Sequence, residues 1–323
     1  MREISAKAHG KVNLHLGVGD ARPDGYHELV TVFQSLSLSD TLTLEVDDED
    51  FVALSEGSIV VGLTVSGLDA ASVPRDATNL AWRGVDTLVD YYRRVHGLTH
   101  LPRVRIRIHK GIPTAGGMAG GSADAAAALV ATHALISETM PALAPEILDD
   151  LAAVLGSDVP FSLRGGTMLG TGRGERLTPM LSRGQYHWAL VFSKEGLSTP
   201  QVFSRLDELR TQGHQLDPSI ETADLAHALM TGQAGELAKH LINDLQGPAT
   251  NLRPDIARTL ERGQRAGALA AVVSGSGPTC ALLCSSELHA RDVLDDLLDE
   301  GFFSGTIAHG PAKGAHLIND LNN

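Results

Sequence analysis

The chain has 323 residues, 43% of them hydrophobic, and a formal net charge of −13 at pH 7. This length is enough for a sizeable core and two domains, and the acidic balance argues against non-specific binding to nucleic acid or to a membrane surface. The sequence has neither an apolar run long enough to span a membrane nor an apolar stretch of the signal-peptide kind at its N-terminus. We therefore expect a cytoplasmic protein, present as a monomer or weak homodimer.

The first fifty residues alternate apolar with polar or small side chains, which is typical of half-buried strands. Residues 12–16 predict one such strand, and residues 20–25 predict the turn that follows it. Alternation over residues 36–46, interrupted at residues 39–40, predicts a β-hairpin. The acidic segment 47–50 predicts a solvated loop.

A helix and a basic strand come next. Residues 76–79 offer helix caps, and helical spacing of apolar residues then runs from Ala81 up to Gly97. Over residues 103–108, three arginines alternate with three aliphatic residues, which predicts a strand. We interpret the arginines as a solvated strand face, and a phosphate site on that face is the alternative.

Residues 113–124 form a glycine-rich loop that runs into an alanine-rich stretch typical of a helix. Four glycines fall between Gly116 and Gly121, where they let the backbone approach a ligand closely. Because the start of a helix offers free N–H groups and about half a positive charge, this loop predicts a phosphate site. A flexible turn before a core helix is the alternative. We interpret Asp124 as a first-turn residue that suits the helix dipole.

The chain beyond this loop continues to mix helices and strands. Residues 145–156 predict a helix that begins at a proline and ends at a glycine, and residues 165–174 predict a strand and turn. We place a domain boundary here, which gives domains of residues 1–165 and 166–323.

The second domain is expected to be an α+β sandwich, with helices on one face of a mostly antiparallel sheet. Strands are predicted over residues 187–192, 270–273, 280–283 and 302–309, and helices are predicted from Ser198, from Pro254 and over residues 288–298. Cys280 and Cys284 lie four residues apart in a strand-like run. We interpret them as buried hydrophobes rather than a disulfide or ligand pair.

Three short motifs occur in order along the chain: K-V-N-L at residues 11–14, the glycine loop, and S-G-S-G-P at residues 274–278. In this order they resemble the three motifs of the GHMP kinase superfamily. Residues 10–16, 22–27 and 155–161 are similar to the branch whose acceptor is 4-diphosphocytidyl-2-C-methyl-D-erythritol.

This chain departs from that resemblance in small ways. His9-Gly10 stands where Pro-Ala is common before the lysine. Met118, Ala119 and Ala123 stand in a loop that often reads G-L-G-G-G-S-S. Met118 stands where another apolar residue is common, and Ala119 and Ala123 replace other small residues, so the backbone donors of the loop remain in place.

The resemblance implies an α+β protein with the two-domain GHMP kinase fold. Its N-terminal domain would be a ribosomal-protein-S5-like nucleotide domain and its C-terminal domain a ferredoxin-like α/β sandwich, with the substrates in the cleft between them. It also implies ATP and Mg²⁺ as cofactors, and transfer of the γ-phosphoryl group of ATP to the 2-hydroxyl of 4-diphosphocytidyl-2-C-methyl-D-erythritol. The product would feed the non-mevalonate route to isopentenyl diphosphate.

Three alternatives stay open. The first is another GHMP kinase, acting on homoserine, mevalonate or a sugar, and the second is a non-catalytic nucleotide-binding protein. The third, a dinucleotide oxidoreductase, is disfavoured because the loop reads G-G-x-x-G-G rather than G-x-G-x-x-G.

The resemblance implies catalytic and substrate-binding roles as well. Asp158 is expected to take the proton of the acceptor hydroxyl, and Lys11 to pair with it and to neutralise charge at the transferring group. Tyr26 and His27 are expected to hold the cytosine. The remaining substrate contacts are Phe203, as a second stacking face, and Asn13, on the diphosphate side of the substrate.

The expected ATP site is built around the glycine loop. Asn79 is placed near the adenine, and the Ser122 hydroxyl is offered to Mg²⁺. The residues 274–278 are expected to shape the cleft near the acceptor, with a plain β-turn as the alternative. The loop residues assigned to ATP are Pro113, Thr114, Ala115, Gly116, Gly117, Met118, Ala119, Gly120, Gly121, Ser122 and Ala123.

Overall fold

The computed structural model describes residues 2–23, 25–55, 57–114, 116–193, 195–302 and 304–318. Within these ranges the strands are β1 (Arg2–Ala21), β2 (His27–Ala53), β3 (Val60–Gly67), β4 (His100–Lys110), β5 (Thr167–Gly172), β6 (Arg176–Pro179), β7 (Tyr186–Phe192), β8 (Ile242–Asn243), β9 (Ala270–Val273), β10 (Cys280–Cys284), β11 (Ser304–Gly310) and β12 (His316–Leu317). The α-helices are α1 (Leu80–His96), α2 (Gly120–Ser137), α3 (Pro145–Leu155), α4 (Val159–Arg164), α5 (Thr199–Thr211), α6 (Ala223–Thr231), α7 (Ala234–Leu237), α8 (Gln246–Leu252), α9 (Pro254–Arg265) and α10 (Glu287–Asp299).

Among the described residues the larger sheet has eight strands, five of which run in the order β12-β1-β2-β4-β3. The strand β5 extends it by pairing with β2 and β6, and β8 pairs in parallel with β1. Helix α2 lies against β1 and β2 and contacts α1 and α4. Helices α1 and α2 pack closely at Gly84 of α1, where a Cβ would lie only 3.1 Å from the carbonyl oxygen of Ala125.

The predicted hairpin over residues 36–46 is wrong, because β2 continues through residues 39–40. Asp40 is fully buried, and its carboxylate accepts the backbone N–H groups of Gly111 (2.7 Å) and Ile112 (2.9 Å). A serine–aspartate pair is typical of a turn, but here the aspartate binds another segment of the chain. The irregularity is a register shift in the pairing with β1, where His9 faces Ser39.

The predicted loop over residues 47–50 also belongs to β2. Its acidic residues are largely exposed, as expected, but they form a bulge between Asp47 and Phe51 in the pairing with β4. The arginines of β4 face solvent on the same surface. Arg107 pairs with Glu3 and Glu45, which supports the solvated face rather than a phosphate site.

The smaller sheet, in the part of the chain that the structure describes, has four antiparallel strands in the order β11-β7-β10-β9. Helices α5, α8, α9 and α10 supply side chains to the core on this sheet. Both cysteines lie buried on β10 as free thiols, so their interpretation as buried hydrophobes is confirmed. Burial raises the pKa of Cys284 to about 11, which keeps that thiol protonated.

The chain crosses between the two sheets more than once. The strands β5 and β6 follow the boundary placed at residue 165 yet pair with the larger sheet, as do β8 and β12. By sheet membership the crossover to the smaller sheet comes after Pro179, and the division at residue 165 stays a prediction. Among the described residues, no helix has the length and apolar character needed to cross a membrane.

Candidate active site

A cleft of about 510 Å³ lies where the two sheets approach each other. One wall comes from β1, β2 and the glycine loop, and the other from α5 and the turn between β9 and β10. Lys11, Asn13 and Asp158 lie on this cleft together with Phe203. The three sequence motifs and the predicted catalytic pair therefore surround one space.

Lys11 and Asp158, which both line the cleft, form an ion pair. Their closest atoms, Nζ of Lys11 and Oδ2 of Asp158, are 3.8 Å apart. The ammonium also donates to Oδ1 of Asn13 at 2.7 Å and lies 5.6 Å from the centre of the Phe33 ring. Burial lowers the pKa of Lys11, and the charge of Asp158 opposes that shift.

The backbone of Lys11 joins all three motifs. Its N–H donates to the carbonyl oxygen of Met118 in the glycine loop at 3.2 Å. Its carbonyl oxygen accepts from the hydroxyl of Ser274 at 3.3 Å, and that hydroxyl also lies 3.1 Å from the carbonyl oxygen of Gly117. The register shift in β1 between His9 and Lys11 coincides with these contacts.

The residues 274–278 form a tight turn that also lines the cleft. The N–H of Gly277 donates to the carbonyl oxygen of Ser274 at 2.9 Å, so the β-turn of the alternative interpretation is present. Gly275 has φ of +58°, and a Cβ there would lie 3.1 Å from Nζ of Lys11. Asn243 holds the turn by donating to the carbonyl oxygens of Val273 (2.8 Å) and Gly275 (2.7 Å).

The start of α2 presents unpaired backbone donors to the cleft. Ala119 precedes the helix in the left-handed region, with φ of 60°, and its side chain cannot cap the helix. The first intrahelical bond is made by the N–H of Ala123 to the carbonyl oxygen of Ala119. Gly120, Gly121 and Ser122 line the cleft, and their N–H groups have no partner within the described ranges.

Most of the residues assigned to ATP lie on this cleft: Asn79, Pro113, Thr114, Gly116, Gly117, Ala119, Gly120, Gly121 and Ser122. Met118 and Ala123 do not, because their side chains pack into the core. Ala115 lies outside the described residues. Asn79, the last of the four residues that the sequence offered as caps, caps α1 by accepting the N–H of Ala81 at 2.8 Å, so its side chain is already engaged.

The expected cytosine residues stand beside the cleft rather than on it. Tyr26 is 54% exposed, and the guanidinium of Arg173 lies 5.0 Å from its ring centre. His27 is buried and its ring lies 4.9 Å from the ring of Phe203. Since Arg173 and Phe203 both line the cleft, Tyr26 and His27 adjoin it through these two side chains.

A buried cluster of charges that sequence reasoning missed lies beneath the loop. Lys110 at the end of β4 contacts the carboxylates of Asp40 and Asp124, with 2.6 Å between its Nζ and Oδ2 of Asp124. All three side chains are almost fully buried. Nζ of Lys110 also lies 3.3 Å from the carbonyl oxygen of Gly120, which fixes the first residue of α2.

The interpretation of Asp124 as a first-turn residue is wrong, since the first turn of α2 holds no acidic side chain. Burial raises the pKa of Asp124 to about 8; Lys110 opposes this shift and Asp40 adds to it. Burial opposes protonation of Lys110, but the two carboxylates together raise the pKa of that lysine. The alternation of buried residues along β4 could have revealed Lys110, since it shares the inward face of Ile106 and Ile108.

Two known domain families match parts of the chain. The GHMP kinases N terminal domain matches residues 79–166, and the GHMP kinases C terminal domain matches residues 225–302. The chain is 55% identical over 324 residues to the 4-diphosphocytidyl-2-C-methyl-D-erythritol kinase of Corynebacterium efficiens, with 98% of each chain covered. It is 52% identical to the protein of that name from Rhodococcus jostii, with 99% of this chain and 96% of the relative covered.

The chain belongs to the 4-diphosphocytidyl-2-C-methyl-D-erythritol kinases. A crystal structure of 4-(cytidine 5'-diphospho)-2C-methyl-D-erythritol kinase matches it with a TM-score of 0.71 at 31% identity, covering 94% of this chain and 98% of that one. The predicted two-domain GHMP kinase fold is thereby confirmed, and the chain is an enzyme of the kinase class.

More distant kinases of the superfamily share the fold alone. The homoserine kinase of Cytophaga hutchinsonii matches with a TM-score of 0.69 at 16% identity, covering 98% of each chain. The L. major mevalonate kinase matches with a TM-score of 0.71 at 15% identity, covering 95% of this chain and 96% of that one.

Proposed function

We propose that this kinase transfers the γ-phosphoryl group of ATP to the 2-hydroxyl of 4-diphosphocytidyl-2-C-methyl-D-erythritol, on the non-mevalonate route to isopentenyl diphosphate. One observation carries the chemistry. The carboxylate of Asp158 lies 3.8 Å from the ammonium of Lys11, on the same cleft as the free N–H groups of the glycine loop. The acceptor is taken from the names of relatives that match the chain over nearly its whole length.

Phosphoryl transfer needs the acceptor hydroxyl to lose its proton and the developing charge to be balanced. Asp158 takes that proton, because a carboxylate within hydrogen-bond reach of the hydroxyl is a sufficient base. Lys11 stabilises negative charge at the transferring group, since its ammonium stands beside the same carboxylate. Asn13 directs the ammonium through the hydrogen bond to its Oδ1.

The phosphates of ATP occupy the start of α2. The N–H groups of Gly120, Gly121 and Ser122 donate to phosphate oxygens, and the helix dipole adds its positive end. The loop brings these donors close to Lys11, because its Met118 carbonyl binds the Lys11 backbone. Charge on the phosphates is therefore balanced locally in a chain whose net charge is −13.

Mg²⁺ fits this site through few protein ligands. No group of three or more His, Cys, Asp or Glu side chains able to hold a metal occurs among the described residues. Mg²⁺ commonly keeps several waters and takes one or two protein oxygens besides substrate phosphates. The hydroxyl of Ser122 lines the cleft beside the loop donors and would supply one such oxygen. The ion would neutralise charge on the phosphates of ATP.

The cytosine is held next to Arg173 and Phe203. Tyr26 and Phe203 supply stacking faces, and His27 supplies a polar edge that reads the base. Homoserine, mevalonate and sugars carry no base, so these residues would have no group of such an acceptor to bind. A non-catalytic nucleotide-binding protein would need neither Lys11 nor Asp158.

An assay of ADP release across candidate acceptors tests the proposal. We expect ATP-dependent turnover with 4-diphosphocytidyl-2-C-methyl-D-erythritol and none above background with homoserine, mevalonate or galactose. The Asp158→Asn variant serves as the control for contaminating kinases. Turnover with one of the other acceptors at a comparable kcat/KM would replace the proposed substrate.

A further inference from the structure

The imidazole ring of His27 contacts two side chains of α5. His27 opens β2 and is 8% exposed. Its ring lies 4.9 Å from that of Phe203, and its Nε2 lies 3.0 Å from Oδ1 and 3.2 Å from Oδ2 of Asp207. Phe203 and Asp207 are four residues apart on α5, so they face the same side of that helix.

The carboxylate decides where the ring carries its proton. An ionised carboxylate only accepts hydrogen bonds, so Nε2 of His27 must donate to Asp207. In a neutral imidazole the other nitrogen is then an acceptor. Nδ1 of His27 makes no hydrogen bond within the described ranges. It is also not among the fully buried polar atoms that lack a partner, so a ligand can reach it.

An acceptor at this position distinguishes two pyrimidines. Cytosine has an amino group at its 4-position, which donates, whereas uracil has a carbonyl oxygen there, which accepts. A bare Nδ1 pairs with the first and leaves two acceptors facing each other with the second. A buried polar group left unpaired in this way discriminates strongly between substrates.

We propose that Asp207 is a positioning residue that makes the site select cytosine over uracil, by fixing the proton of His27 on Nε2. The inference rests on the proposed function, in which His27 reads the base. Asp207 does not touch the substrate in this account. It acts through the histidine.

A purely structural role for Asp207 would be to hold α5 in place, but α5 has other anchors. Arg210 donates to the carbonyl oxygens of Val18 (2.6 Å) and Gly19 (3.0 Å) on β1. Asp207 itself is 44% exposed at its side chain. Replacing it should therefore leave the helix attached and the fold intact.

The experiment compares Asp207→Ala and Asp207→Asn with the wild type. Glu208→Ala is the matched control, because it removes the same charge from the neighbouring residue, which pairs with Arg205 at 2.8 Å. The kinetic readout is kcat/KM for the cytidine diphosphate acceptor and for its uridine analogue. The structural readout is the imidazole ¹⁵N spectrum, in which the His27 signals are those that vanish in His27→Ala.

We expect a wild-type His27 with its proton on Nε2 and a preference for cytidine. In both Asp207 variants the cytidine-to-uridine ratio of kcat/KM should fall by about tenfold or more, the equivalent of about 1.4 kcal/mol. The loss should lie mainly in KM, because the reacting groups are untouched. Glu208→Ala should keep the wild-type ratio.

An unchanged ratio in folded Asp207 variants would overturn the inference, as would a wild-type proton on Nδ1. Failure of the proposed function gives a different result. The wild type would then release no ADP with the cytidine acceptor, or would show no preference between the bases, and the inference would be overturned with it.

Discussion

Asp158 and Lys11 serve the proposed transfer differently because solvent reaches one and not the other. The Asp158 side chain is 31% exposed, whereas that of Lys11 is 6% exposed. The carboxylate can therefore touch an acceptor that enters the cleft. The ammonium of Lys11 acts through its positive charge, and its hydrogen bond to Asn13 sets its orientation.

Removing either member of the pair should slow the chemical step. We expect Asp158→Asn and Lys11→Ala each to lower kcat by about 10² to 10⁴, the range typical of general base loss. The double variant should lose much less than the product of the two factors, because the groups act as a unit. Steady-state kinetics at saturating ATP measure this, with the exposed Asp150→Asn as the control. Near-normal turnover in Asp158→Asn would remove that residue as the base.

The burial of Lys11 has a consequence for the pH profile. Its pKa lies below the ordinary lysine value of 10.5, so the ammonium loses its proton at a lower pH than an exposed lysine would. Activity should be full below that lowered pKa and should fall as the pH rises through it. A profile of kcat/KM carried into the alkaline range should show this limb at a lower pH than an exposed lysine would give.

The Lys11→Arg variant is the matched comparison for that profile. Arginine stays charged throughout the range, so any residual activity of Lys11→Arg should lack the limb. The same alkaline limb in both proteins would show that another group titrates.

At the scale of elements, one part of the glycine loop packs against the β9–β10 turn and another part faces the open cleft. A Cβ on Gly117 would lie 2.0 Å from the carbonyl oxygen of Ser274, and φ there is +74°. A Cβ on Gly121 would meet only the side chain of Leu80, at 3.3 Å. Gly117 therefore lets the loop pack against the turn at residues 274–278, whereas Gly121 borders the space expected to hold the phosphates.

Valine at these two positions should therefore have different effects. We expect Gly121→Val to fold normally and to raise KM for ATP, because the branched side chain stands between the phosphates and the backbone donors. Gly117→Val should lower thermal stability as well, because backbone must move to admit it. Kinetics and thermal melting of both variants separate the cases. An unchanged KM for ATP in folded Gly121→Val would place the phosphates elsewhere.

The buried Lys110 cluster joins β2, β4 and α2, and it makes stability depend on pH. Burial, with the charge of Asp40 adding to it and that of Lys110 opposing it, keeps a proton on Asp124 in the folded protein up to a pKa of about 8. The unfolded chain releases that proton near pH 4. Between these values unfolding releases a proton, so stability falls as pH rises, by at most about 1.4 kcal/mol per pH unit.

The Asp124→Asn variant tests this linkage. Asparagine cannot titrate, so urea unfolding at pH 5, 6, 7 and 8 should show a flatter dependence than in the wild type. Asp295→Asn, an exposed change on α10, should keep the wild-type slope. Equal slopes in the wild type and Asp124→Asn would show that Asp124 is already ionised in the folded protein.

At the scale of the whole molecule, the sequence predicted those features that depend on neighbouring residues, such as helix caps, helix ends and the burial of apolar side chains. The cap at Asn79, the helix from Pro145 to Gly156 and the buried cysteines all follow from neighbouring residues, and all are present. The three motifs could be recognised because each is a short run of neighbouring residues, and the structure brings all three to one cleft. The glycine loop, for example, needs small residues wherever another backbone comes close.

Contacts between distant segments could not be predicted in the same way. Asp40, Lys110 and Asp124 form one cluster although 70 and 14 residues separate the lysine from its two partners. His27 and Asp207 are 180 residues apart. A buried aspartate within β2 therefore resembled a turn, because nothing near it in the sequence shows the lysine that it binds.

The position of the transferred phosphoryl group tests the account most directly. The 2-carbon of the acceptor carries a methyl group and no hydrogen, so a phosphate on its hydroxyl has no proton three bonds away. We expect the ³¹P spectrum of the wild-type product to show one new phosphomonoester signal without proton splitting, beside an intact diphosphate, and the same signal to grow in about 10² to 10⁴ times more slowly with Asp158→Asn. A phosphomonoester signal split by neighbouring protons, or none formed from ATP and this acceptor, would contradict the proposed function.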